Sequence, residues 1–298
     1  AAARWQVPEG EIDVRDGVLS HAGGHKAGFG ELAEVAAQLP VPEDVFLKEP
    51  GEFRLIGNEA IRRKDGSGKI DGSAVFTQDI QLPDMLTAVV AHPPRFGAKL
   101  KSFDPAPALG IKGVEQVVEI PNGVAVLAQD FWSAKLGRDA LVPAIVWDET
   151  DAFRLGSEEI MADYRALATK PGLVARKEGD PDAALAGAAK VIEAEFTFPF
   201  LAHAALESMD CVIAPDGDGV VVMNGEQFQT ADQAAIAAVL GLDPEQVRID
   251  MLYAGGSFGR RANPKSDFPV ETAAIFKAAG AKVPVKLQWT REDDMRAG

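Results

Sequence analysis

The sequence predicts an α/β protein with two textures, a compact α+β stretch followed by a more regular α/β stretch. Three observations predict it. Across 58–150, short β-like runs at 86–91, 114–120, 124–128 and 144–147 are separated by proline and glycine turns. From residue 189 onward, alternating runs are interleaved with helical patterns. A hydrophobic content of 47% beside 25% charged residues is the balance of a globular chain with a substantial core.

In order, residues 1–57 read as a small α+β piece. Ala1-Ala2-Ala3-Arg4-Trp5 resembles the tail of a helix. Ile12, Val14, Val18 and Leu19 flank Asp16-Gly17, a hairpin signal. A helical pattern over 28–39 ends at Pro40-Val41-Pro42, and 43–57 is a proline-interrupted connector. Within 58–150, residues 131–141 read as a helix between two strands. Residues 151–188 read as a helical connector, with one helix over 157–168 and another opened by Asp180-Pro181 and closed by Gly187.

Over 189–298, residues 191–198 alternate as a strand. Two further strands, 211–213 and 220–223, flank Asp216-Gly217. Thr230-Ala231-Asp232-Gln233 is a capping-box pattern opening a helix that Gly241 ends. A strand over 247–253 follows, then a helix over 268–279 and a strand over 283–289. Thr290 to Arg296 has the acids of a helix start. Both chain ends read as cut, so a piece of a longer polypeptide is expected.

Composition excludes several classes. A net charge of −15 argues against generic nucleic-acid binding. The single Cys211 leaves no disulfide framework, no cysteine metal cluster and no four-cysteine iron–sulfur site. No run of 18 or more apolar residues is present, so no membrane span is predicted.

The most informative segment is Ala254-Gly255-Gly256-Ser257-Phe258-Gly259-Arg260-Arg261, at the exit of the 247–253 strand. Glycines permit a sharp turn and close backbone approach. Successive N–H groups in such a turn make an anion-binding concavity, and paired arginines offer forked donors that suit phosphate. The spacing matches neither a P-loop nor a dinucleotide fingerprint. From pattern alone a tight structural turn is the favoured reading over a binding loop. Asn224-Gly225-Glu226-Gln227 joins a strand end to a helix start, where α/β proteins bind ligands, and Gln227 carries both a donor and an acceptor. Gln227 capping the helix or facing solvent is the plainer alternative. His203 and Glu207 lie four apart, on one face if helical, and a buried His–Glu hydrogen bond is expected there.

Taken in order, His203-Ala204-Ala205-Leu206-Glu207, a strand leading to Gln227, and Gly255-Gly256-Ser257-Phe258-Gly259 resemble the molybdenum-binding subunit of the xanthine dehydrogenase and aldehyde oxidase family. The first motif is one residue shorter than the family spacing. Pro199-Phe200-Leu201-Ala202-His203-Ala204, the Arg260-Arg261 exit and Trp289-Thr290-Arg291-Glu292-Asp293-Asp294-Met295 are most similar to the branch of isoquinoline 1-oxidoreductase beta subunits. Lys69 to Phe76 resembles the start of that family's hammerhead domain.

The resemblance implies a division of the chain. Residues 1–57 would be the end of a permuted cofactor-domain segment with a connector, and 58–150 a hammerhead-like α/β domain. Residues 151–188 would be a helical connector, and 189–298 the first part of a molybdenum-cofactor-binding α/β domain. It implies molybdopterin, in the cytosine dinucleotide form, carrying molybdenum. Gln227 would approach an oxo ligand of the metal. Gly255, Gly256, Phe258, Gly259 and Arg260 would lie along the cofactor, with no protein ligand to the metal. Phe258 follows Gln227 by the 31 positions that the family pattern wants.

The implied activity is oxidation of an N-heterocycle or aldehyde with water. Electrons would go to iron–sulfur clusters on a partner subunit, in the periplasm or cytoplasm of a bacterium. The sequence departs from the family in carrying no Gly-Glu-Pro general-base segment and no Met-Gly-Gln-Gly pterin segment. The general-base glutamate is therefore expected outside this chain, with no catalytic residue within it, and the 298-residue piece is expected to be inactive alone. Ala262 stands where xanthine dehydrogenases carry a substrate-facing glutamate, which argues against a purine. A non-catalytic docking module of a multi-subunit oxidoreductase remains the alternative.

Overall fold

The computed structural model describes residues 1–297 and divides into two units, Ala1–Lys64 and the chain from Asp65 on. In the first unit, Asp16 and Gly17 both take positive φ, 51° and 79°. That is the backbone of a tight primed hairpin turn. It joins β1 (Ile12–Arg15) to β2 (Val18–His21), which pairs antiparallel with β3 (Lys26–Gly28). A short helix α1 (Ala2–Trp5) precedes the sheet. Helix α2 (Phe29–Ala36) follows it, and the Glu31 carboxylate accepts from the Gly28 N–H at 2.9 Å. Beyond α2 the proline-rich connector carries a single 3-10 turn, Pro50–Glu52.

The second unit is built on a seven-stranded mixed sheet. Its strands are β4 (Leu86–Ala91), β6 (Val114–Ile120), β7 (Gly123–Ala128), β9 (Asp210–Asp216), β10 (Gly219–Gly225), β11 (Val247–Leu252) and β12 (Val285–Gln288). They lie in the order β11-β10-β9-β12-β4-β7-β6. A separate two-stranded ribbon pairs β5 (Lys99–Phe103) with β8 (Ile145–Asp148). Helices α3 (Ala106–Leu109), α4 (Phe131–Leu141), α5 (Ser157–Ala168), α6 (Pro181–Ala186), α7 (Gln229–Leu240), α8 (Asp267–Ala278) and α9 (Arg291–Arg296) complete the unit.

Alternation along β7 shows how the sheet is covered. Ala125 and Leu127 join the core formed with Phe268, Ile275 and Phe276 of α8. Val124 and Val126 point the other way, into a cluster with Ala108 and Leu141 of α3 and α4. A strand buried on both faces reads as a continuous apolar run, which is how 86–91 and 124–128 read. β12 inserts between β9 and β4, antiparallel to the first and parallel to the second. The strands of 86–128 and those of 210–288 therefore share one sheet and one core, although their sequence textures differ.

Two expectations are corrected. Residues 191–198 form no strand, because no strand among the described residues pairs with them. Their alternation gives a tendency to pair, but without a sheet edge the backbone groups face solvent. Helix α7 begins at Gln229, capped by the Phe228 backbone, rather than at Thr230. Asp232 of the expected capping box is buried instead. Its other end is as expected, with Gly241 in the left-handed region at φ 77°.

Candidate functional site

Strands β10 and β11 run parallel through α7, with Gly225 in register with Leu252. Two such neighbours release their loops side by side at their carboxyl ends, where open α/β sheets place ligand sites. The loop after β10 carries Glu226 and Gln227, and the loop after β11 carries residues 254–261. The strands approach closely here: a Cβ on Gly225 would sit 2.8 Å from the Ala254 Cα. Gln227 and the glycine segment, far apart in sequence, thus become neighbours. The Ser257 hydroxyl donates to Gln227 Oε1, and the Arg261 N–H donates to Ser257 Oγ at 3.1 Å.

Arg261 is the hub of the site. Its guanidinium is out of solvent and donates to Gly225 O, Gly256 O and Glu207 Oε2 at 3.2, 3.2 and 3.0 Å. One side chain therefore ties the end of β10, the glycine loop and the 205–207 segment together. The Gly255 N–H also donates to Glu207 Oε2 at 2.8 Å, and the Glu207 N–H to Gly255 O at 3.0 Å. A Cβ on Gly255 would lie 2.5 Å from Glu207 Cβ, so the bare backbone at 255 is required by packing on Glu207. Gly259 differs: its φ is +95° and a Cβ would meet nothing within 4 Å. It serves the turn and faces open space. Between them Phe258 holds φ 56°, and the residue is 76% exposed.

The forked donors that the sequence assigns to phosphate are turned inward. Arg260 is buried and pairs with Asp267 at 3.2 and 2.7 Å, with its guanidinium 5.4 Å from the Trp289 ring centre. Arg261 is engaged as described. Buried guanidiniums held by carboxylates have no reason to leave them for an exposed anion. The paired arginines brace the loop from behind.

Four carboxyl groups lie buried around this hub: Glu207, Asp210, Glu226 and Asp232. Burial pushes the Glu226 carboxyl up to about 8, and the Asp232 carboxyl beside it adds to the rise. Burial, then the charge of Glu207, raises Asp210 well above the ordinary carboxylate range, although Arg261 opposes this. The Arg261–Asp210 contact of 3.5 Å is an ion pair without a hydrogen bond, and neither Asp210 oxygen receives a donor. Among the described residues no group of three or more His, Cys, Asp and Glu is placed to hold a metal ion. At Asp210 and Glu226 the crowding favours the protonated carboxyl.

His203 and Glu207 do not pair. Residues 201–206 form no helix, Ala204 takes φ 47°, and Glu207 turns to Arg261. A guanidinium offers a forked, permanently charged partner that an exposed histidine does not. Sequence reasoning also missed Ser257, Asp210, Glu226 and Asp232. Polar residues at strand ends hinted at Glu226, and nothing in the pattern marks the others. Equally silent was a second polar cluster, in which buried Glu271 of α8 accepts from His92 Nε2, Asn122 Nδ2 and Trp289 Nε1. Burial works against the charged form of His92, but Glu271 outweighs it and raises the imidazole.

Comparison with known proteins places these loops in context. Residues 167–298 match the model of the molybdopterin cofactor-binding domain. The chain is 29% identical, over 99% of its length, to "Isoquinoline 1-oxidoreductase subunit beta" of Brevundimonas diminuta, spanning 43% of that protein. It is 31% identical, over 92% of its length, to "Membrane-bound aldehyde dehydrogenase [pyrroloquinoline-quinone]" of Gluconacetobacter polyoxogenes, spanning 37% of it. The chain thus covers less than half of these relatives. Quinoline 2-oxidoreductase of Pseudomonas putida 86 shares the fold, with a TM-score of 0.60 over 78% of this chain and 34% of that one at 16% identity. The matched cofactor-binding domain takes in both loops of the site, and the chain is similar over most of its length to molybdenum-binding subunits of the xanthine dehydrogenase and aldehyde oxidase family.

Proposed function

We propose that this chain supplies one edge of the molybdenum cofactor site in a hydroxylase that oxidises an N-heterocycle or an aldehyde with water. When bound, the cofactor would supply the two-electron chemistry, and the protein orients and polarises around it. The reading is carried by one observation: Gln227 and Phe258 emerge side by side from parallel strand ends, joined through Ser257.

The residues present fit such a group. Gln227 is exposed, and no partner for its Nε2 is found among the described residues. Its N–H groups are available to an oxo acceptor. The backbone of 257–259 and the exposed Phe258 ring would line the cofactor. Gly255 and Gly256 hold that backbone against 205–207, while Gly259 leaves space in front of it. Arg260 acts from behind through Asp267. In family terms, 58–150 would be the hammerhead-like half of the shared sheet, and the cofactor would take the cytosine dinucleotide form. Electrons would leave to an iron–sulfur partner subunit. The general-base glutamate would come from other polypeptide, so the 298 residues alone would not turn over substrate.

A second reading, a docking module, is favoured by the large apolar side chains Phe196, Phe198, Phe200, Leu201 and Leu206, all exposed. Elemental and pterin analysis of the full-length protein from molybdate-replete cells separates the two. Stoichiometric molybdenum supports the hydroxylase. Its absence, with the protein folded, leaves the docking reading.

A further inference from the structure

The atoms around Gln227 define more than its place. Its amide can face a ligand with either end, as a donor through Nε2 or as an acceptor through Oε1. The peptide N–H of Arg261 can only donate, and it occupies a lone pair of Ser257 Oγ at 3.1 Å. The Ser257 hydroxyl proton is left to donate, and it goes to Gln227 Oε1. Arg261 cannot shift to release this arrangement. Its guanidinium is locked to Glu207 and to the carbonyls of Gly225 and Gly256. With Oε1 held inward, Nε2 faces out.

We infer that Ser257 is a positioning residue that holds the Gln227 amide with Nε2 outward, presenting Gln227 as a donor to an unprotonated oxygen acceptor in the site. The inference deepens the proposed function and rests on it for the identity of that acceptor. The hydroxyl-to-amide hold rests on this chain's geometry alone. Alanine at 257 removes the hold, and the amide then turns freely between its two orientations. Cysteine keeps the size but donates weakly, so it behaves like alanine. Threonine keeps the hydroxyl.

The test has two arms. In the full chain labelled with ¹⁵N at glutamine side chains, the Gln227 amide pair, assigned by its loss in Gln227→Glu, is expected as one sharp, shifted pair. It is expected to move to the position of free, solvated glutamine in Ser257→Ala and Ser257→Cys, and to return in Ser257→Thr. In the purified holoenzyme, Ser257→Ala is expected to lower kcat about tenfold, the scale of one oriented hydrogen bond. Molybdenum content and KM should stay within about twofold, with threonine restoring kcat. An unchanged Gln227 signal in both Ser257→Ala and Ser257→Cys, with the thermal transition intact, overturns the inference and leaves the proposed function standing. Wild-type protein without molybdenum removes the proposed function, while the amide arm still decides what Ser257 does.

Discussion

Arg261 Nη2 lies 3.0 Å from Glu207 Oε2, with both side chains out of solvent, and this one ion pair fastens three separate segments at the strand ends. A buried charge pair adds little over an apolar substitute, but removing one partner strands the other. Arg261→Met should therefore lower stability by about 3–5 kcal/mol, because Glu207 and Asp210 lose the guanidinium they pair with. For a unit of this size the thermal transition should fall by about 10 °C. Calorimetry checks it, and a shift under about 2 °C would show that the carboxyls are neutralised without Arg261.

Glu226 gives stability a pH dependence. Its folded pKa, about 8, lies above the ordinary 4.5, so the folded state holds a proton that the unfolded state has released. Its stabilising contribution is full below about 4.5 and is lost as pH rises through about 8. The groups facing it are Asp232 of α7, Asn224 of β10 and Arg261. The midpoint of urea unfolding should fall from pH 5 to pH 8.5, and Glu226→Gln should flatten that fall. An equal slope in the variant would mean that the proton resides elsewhere.

Gly259→Val tests the loop's outer edge. The φ of +95° strains any L side chain by about 1–3 kcal/mol, yet an added Cβ meets nothing within 4 Å. The fold should survive with a small drop in its thermal transition, while molybdenum content or turnover of the full-length enzyme collapses. Full molybdenum loading and full turnover in this variant would remove the loop from the cofactor edge.

Glu271 joins the ends of three strands through His92, Asn122 and Trp289. Glu271→Gln keeps one acceptor oxygen but turns an amide donor toward groups that also donate. A loss of about 2–3 kcal/mol is expected from the unmet hydrogen bonds. His92 should then titrate lower than in the parent, where it is raised, since burial and the Arg138 charge are opposed only by Asp293. An imidazole NMR titration reads the change directly. In the parent, the His92 contribution to stability is present below the ordinary imidazole value of 6.5 and is lost as pH rises through the raised one.

By itself, the sequence determined local structure wherever periodicity or turn chemistry decides it. The runs at 86–91, 114–120, 131–141 and 157–168 occupy their expected spans, since propensity, patterning and caps agree there. Motif order also marked Gln227 and the 255–259 loop. Only the tertiary structure decided what long-range pairing controls. Strand-like patterning gave a strand at β7, which has neighbours on both sides, and none at 191–198, which has no strand to pair with among the described residues. Likewise, two adjacent arginines looked like anion donors until the fold surrounded them with Glu207, Asp210 and Asp267. A side chain's partner is set by which residues arrive beside it in space, and for Arg261 and Glu207 these come from 54 positions apart in the chain.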